Sequence, residues 1–115
     1  MGLLTPKAPA WHPAPPALKT AVDVAIKLTE GWPGGLPNIA LGYAMRKGSA
    51  FTDMDIPTVV GLSTPAEVHE ALKVWREAQE EKDTARRLEL EHAVLAVIDN
   101  SGFRNWSWTS PPEKA

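Results

Sequence analysis

Apolar side chains recur three and four residues apart in four stretches of this chain, the spacing that gathers them on one face of a helix. Leu18, Val22, Ala25 and Ile26 mark the first stretch and predict a helix over residues 17–30, with Pro16 suited to its first turn. Ile39, Ala40, Leu41, Tyr43, Ala44 and Met45 mark the second, over residues 36–46. They leave it almost no polar face, so this helix needs burial on most sides. Val68, Ala71, Leu72 and Trp75 give the third helix, residues 64–80, one apolar face. Beyond Trp75 the chain turns charged through Glu80-Glu81-Lys82-Asp83 and breaks. Leu88, Leu90, Val94, Leu95, Val97 and Ile98 line the fourth, residues 85–98. Asp83 or Thr84 is placed to cap it, and Asn100-Ser101-Gly102 to close it.

One run has a different period. Pro57-Thr58-Val59-Val60-Gly61 is short, uncharged and β-branched, the composition of a parallel strand covered on both faces. Thr64-Pro65-Ala66-Glu67 follows as a capping box, with Thr64 at the N-cap, Pro65 at the first helical position and Glu67 three residues on. A strand feeding such an N-terminus leaves backbone N–H groups aimed outward, an arrangement that suits a phosphate. Every strand-to-helix turn shares that property, so the residues alone leave an anion site and an ordinary turn both open. Residues 1–16 form a Pro-rich loop whose five prolines disfavour helix, and Trp11 and His12 within it read as rings packed under the loop. Residues 103–115 form a tail holding two of the five tryptophans, Trp106 and Trp108, an aromatic pair with something to cover.

Composition narrows the picture. A chain of 115 residues has room for one small domain. With 43% hydrophobic and 23% charged residues it belongs with folded globular proteins rather than disordered ones. A net charge of −2 gives no general attraction to nucleic acid or to an anionic membrane. The absence of cysteine excludes disulfides, thiolate metal sites and a cysteine nucleophile. No apolar run reaches membrane-spanning length and no leader pattern opens the chain, so a cytoplasmic location is expected. His69-Glu70 begins like a zinc-binding helix, but Lys73 stands where the second histidine belongs. His12 and His92 lie elsewhere, and Asp53 and Asp55 share a loop without a third ligand. Neither a metal site nor a catalytic residue is expected.

Four blocks point further: GLLT at residues 2–5, WHPAPPALKTA at 11–21, LPNIALGYAMRKG at 36–48 and TVVGLSTPAEVHEAL at 58–72. In this order and spacing they resemble the C-terminal portion of an aldo-keto reductase. The WHPAP segment and the NWSWTSPP tail resemble the L-galactose dehydrogenase and D-arabinose dehydrogenase branch of that family. The resemblance implies an α/β fold, the last part of a (β/α)8 TIM barrel, with residues 58–61 as its eighth strand. Such a barrel needs roughly 250 residues, so the chain is expected to be a fragment: a truncated reading frame, a pseudogene product or one piece of a split coding region. Standing alone it is expected to be mostly α-helical with one short strand.

The resemblance also carries Leu62, Ser63, Thr64, Glu67 and Glu70 to the adenosine end of a nicotinamide cofactor, and Gly2, Leu3 and Leu4 to its pyrophosphate. The catalytic Asp, Tyr, Lys and His of the family lie on earlier strands, and Tyr43 and Lys47 sit on a late helix and are not candidates. The implied function is therefore cofactor binding for an NAD(P)-dependent oxidoreductase of an aldose or aldehyde, without activity of the chain alone. NADP-preferring members commonly carry an arginine where Glu67 stands and a lysine where Gly61 stands. The implied cofactor is NAD over NADP, in the context of a complete barrel. Nucleic acid and membrane are not expected as partners, and bare apolar surface is left available for self-association. Two readings of other classes stand beside this one: a small helical interaction module derived from the same family, and a stand-alone nucleotide-binding module with half of its cleft missing.

Overall fold

A computed structural model describes residues 2–6, 8–50, 56–80 and 83–107. Four α-helices follow a short 3-10 turn at Gly2–Leu4: α1 (Pro16–Leu28), α2 (Gly35–Ser49), α3 (Pro65–Gln79) and α4 (Thr84–Asn100). All four predicted helices are present, with ends shifted by one to three residues.

Helix α1 starts at a proline and buries Leu18, Ala21, Val22 and Ala25, one side repeated every turn. These residues form the core with Ala14 and Leu36, against which Leu3, Leu4, Val94, Ile98 and Phe103 pack. Thr29 ends the helix by donating its hydroxyl to the Ala25 carbonyl at 2.9 Å. The reversal into α2 runs through Gly34, whose φ of +84° favours glycine. A Cβ there would also lie 2.7 Å from Glu70 Oε1. The burial that α2 needs comes from α3, α4 and α1 together, which cover Leu36, Asn38, Ile39 and Leu41. At the far end of α4, the Gly102 N–H donates to the Asp99 carbonyl (3.0 Å) and the Phe103 N–H to that of Ile98 (3.2 Å). This is a Schellman closure, and Phe103 and Ile98 both lie against the core. Trp106 meets Phe103 edge-on at 6.3 Å and covers that same core.

The structure overturns the expected fold class. No strand occurs among the described residues, and the four helices show no part of a TIM barrel. Residues 57–61 lie outside any ladder, with Val59 96% exposed. The physical reason is that β propensity is realised only where neighbouring strands accept and donate hydrogen bonds and where layers cover both faces. Neither is present here. The loss propagates to α3. Its predicted inner face is turned outward, with Val68, Leu72 and Trp75 at 40%, 49% and 50% exposure, and the helix docks on α2 through Val74 instead. Trp11 is also not packed under the loop. It is 80% exposed and stacked on His12, whose Nδ1 accepts from the Ala14 N–H. Asp53, Asp55, the Glu81-Lys82 break and Trp108 with the rest of the tail lie outside the described residues.

The whole chain exposes 8319 Å². A monomer of 12.5 kDa exposes about 6,200 Å² by the usual scaling of surface with mass. The radius of gyration is 15.0 Å, against about 13 Å for a domain of this length.

Candidate functional site

The residues leading into α3 build the site carried by the resemblance. Thr64 is extended (φ −135°, ψ 155°) and its hydroxyl accepts the Glu67 N–H at 3.2 Å, as a capping box requires. The return bond is displaced by one residue. Glu67 Oε2 accepts from the Ser63 N–H at 2.6 Å and from the Ser63 hydroxyl at 3.1 Å. The Ser63 N–H, then its hydroxyl, hold the Glu67 carboxyl below the usual carboxylate range, against a small opposing desolvation. The Ser63 donors at this turn are thus already engaged by a carboxylate of the chain itself, and the Glu67 N–H by the Thr64 hydroxyl.

A cavity of about 260 Å³ opens beside this turn. Leu62, Glu67 and Glu70 line it, with Leu41, Ala71 and Val74 as its apolar wall. Glu70 Oε1 accepts from Asn38 Nδ2 at a long 3.5 Å. Ser63 and Thr64 belong to the turn and are not among the residues that line the cavity. Gly2 opens the 3-10 turn, and Leu3 and Leu4 pack against the core beneath α1. Only the next residue, Thr5, reaches the cavity. Of the eight positions carried by the resemblance, the structure therefore gathers three on one cavity, puts two at its turn and sends Leu3 and Leu4 to the core.

The most interconnected polar group of the molecule lies behind the cavity and is not evident from any sequence motif. Arg87, 3% exposed, enters from α4. Its Nη2 donates to Asn38 Oδ1 at 2.9 Å and to Glu77 Oε2 at 3.3 Å, and its Nη1 donates to the Asn38 carbonyl at 3.3 Å. The guanidinium carbon lies 5.0 Å from the centre of the Trp32 ring, and Trp32 Nε1 donates to the same Asn38 Oδ1 at 2.9 Å. Burial draws the Arg87 guanidinium below its ordinary value, opposed by the charges of Glu77 and Glu91. Glu91, one turn further along α4, receives both arms of the Arg46 fork, and this pairing raises Arg46 above its usual value. Gly42 makes room for the whole arrangement, since a Cβ at that position would lie 2.4 Å from Arg87 Nη1. A signal was available: Arg87 and Glu91 stand four apart, on one side of a helix none of whose apolar residues is fully buried.

Chemically the two groups differ. The arginine cluster ties the α1–α2 turn to α2, α3 and α4 and contains no nucleophile. The cavity offers an ionised carboxylate, a second one beside it and an apolar wall, a combination that accepts hydrogen bonds from hydroxyl or amine groups on a flat apolar body. Among the described residues no group of side chains is arranged to hold a metal ion, and no helix is long and apolar enough to cross a membrane. No protein-family model matches the chain, and neither a curated protein nor a solved structure matches it.

Proposed function

We propose that the chain is the cofactor-contacting part of a cytoplasmic, NAD-linked oxidoreductase of the aldo-keto reductase kind, with no turnover of its own. The reading concerns the cavity and not a barrel, which the helical architecture excludes. The observation that carries it is the meeting of Leu62, Glu67 and Glu70 on one cavity, three of the positions that the resemblance assigns to the adenosine end. The residues fit a nucleoside better than a phosphate. Leu62 and Ala71 offer an apolar wall for a base, and Glu67 is an acceptor for a ribose hydroxyl. Among the described residues no lysine or arginine lines the cavity to meet a 2′-phosphate. The test is ligand-detected NMR with adenosine, NAD and NADP. Adenosine and NAD should bind in the cavity and NADP more weakly, with binding lost in Leu62→Asp. Absence of all binding, or NADP binding as well as NAD, would overturn the proposal. The same chain should oxidise no aldose with either cofactor, because the family's catalytic Asp, Tyr, Lys and His have no counterpart in this sequence. Turnover above a buffer control would contradict that statement.

A second reading, a small helical interaction module, is favoured by a separate observation. Leu62, Val68, Leu72 and Trp75 are exposed and line an apolar groove of about 380 Å³, and Val59, three residues before Leu62, stands in solvent. A face of that kind on a small protein commonly meets a partner.

A further inference from the structure

The same face identifies a partner, and this inference rests on the interaction reading. The segment 56–62 leaves α2 with the Ile56 carbonyl close against Gly48, where an added Cβ would lie 2.7 Å from it. From there it runs outside any helix or ladder to Leu62, exposed except at the half-buried Val60, and Leu62 lines the apolar groove together with Met45, Val68, Leu72 and Trp75. Among the described residues, no hydrogen bond joins the backbone of residues 58–62 to the rest of the chain.

Three properties select the occupant. First, Thr58, Val59 and Val60 are β-branched and their backbone groups are unbonded, a combination that another strand laid alongside satisfies better than a helix or a side chain does. Second, no charged residue occurs from Ile56 to Ala66. A charged peptide finds no complement there. A symmetric contact brings no like charges together, whereas exposed edges are ordinarily guarded by lysine or other charges. Third, Leu62 at the end of the segment lines the apolar groove, so pairing of two copies brings both grooves together beside the paired segments. An identical segment satisfies all three, since it is β-branched, uncharged and bordered by the same apolar groove.

We propose that this chain forms a two-fold dimer by antiparallel pairing of residues 58–62 with the same residues of a second copy, the two grooves closing beside the ribbon. The contact is isologous, so it is complete at two copies.

The experiment is sedimentation velocity over a range of concentrations on the intact chain, with amide hydrogen exchange read at Val59 and Val60. The expected result is a monomer–dimer equilibrium, with exchange at Val59 and Val60 slowing as the dimer forms. Val59→Lys places two like charges across the axis and should weaken the dimer by about tenfold or more. Leu72→Gln should weaken it as well. Val24→Lys, at an exposed apolar position of α1 remote in sequence from the segment, should leave it unchanged. Circular dichroism of each variant should match the parent, because Val59, Leu72 and Val24 all stand in solvent in the monomer. A monomer at every concentration overturns the proposal. So do a dimer indifferent to Val59→Lys, equal weakening by Val24→Lys, or assembly beyond a pair. A persistent monomer that still binds a different protein through Val59 would remove the self-pairing and leave the interaction reading standing.

Discussion

Asn38 is the residue on which the molecule's polar contacts converge. Its side-chain oxygen receives both the Trp32 indole and the Arg87 guanidinium, and its amide reaches Glu70. An arginine so placed is not freely replaceable. Lysine has a single ammonium where two arms of a fork are used, and methionine fills the volume but leaves Glu77 without its partner. Arg87→Met is expected to cost about 2–4 kcal/mol in urea unfolding, the usual consequence of removing one member of a buried charge group. A loss below about 1 kcal/mol would show that the cluster does not hold the helices. Gly42→Ala drives a methyl group into Arg87 and should cost about 1–3 kcal/mol by overpacking. Glu67 acts differently, because it is exposed and its effect is read through pH. Its carboxyl lies below the ordinary range in the folded chain, so its contribution is fully present above that range and is lost as acid protonates the folded form. The gap in Tm between the parent and Glu67→Gln should be open at neutral pH and close in acid. A gap that widens toward acid would refute the hydrogen-bond arrangement at Ser63.

At the scale of elements, each helix is set by signals of a different reach. The start of α3 is local: Thr64, Pro65 and Glu67 dictate it within four residues, and Thr64→Ala should cost about 1 kcal/mol. The core of α2 is tertiary: Ile39, 1% exposed, should cost about 2–5 kcal/mol on substitution by alanine. Leu72→Gln and Val59→Thr should each stay within about 0.5 kcal/mol in the monomer, since both side chains are already wet. These contrasts explain what was legible. The existence of every helix could be read from residues three and four apart, because helical hydrogen bonds close within the segment. The strand over 57–61 could not, because its hydrogen bonds depend on neighbouring strands, and none occurs among the described residues. The facing of α3 failed for the same reason: Val68, Leu72 and Trp75 mark an apolar stripe correctly, but a stripe does not say whether a layer exists to cover it. At the cavity, Leu62, Glu67 and Glu70 are positions that the resemblance singles out, whereas Thr5 and Asn38 line it as well and carry no signal in the sequence, because they reach it only when distant segments meet. Arg87 and Glu91 were masked by the apolar residues around them, which define a face that turns out to be only half buried.

For the whole molecule, the burial is uneven. Helix α1 contributes four buried apolar residues to the core, whereas α3 buries Val74 alone in full. Local opening should therefore begin at α3. Native-state hydrogen exchange is expected to give its amides a lower opening free energy than those of α1, and the reverse order would contradict this distribution of packing. The tryptophans make such events visible without a label. Trp32 sits against a guanidinium at 8% exposure, while Trp11 and Trp75 stand at 80% and 50%. Their indoles therefore answer to different surroundings in one emission spectrum. A collisional quencher silences Trp11 and Trp75 first, and the light that remains is enriched in the shielded rings, Trp32 beside Arg87 and Trp106 over the core. That residual glow is a gauge, built into the chain, of whether the helices are still joined.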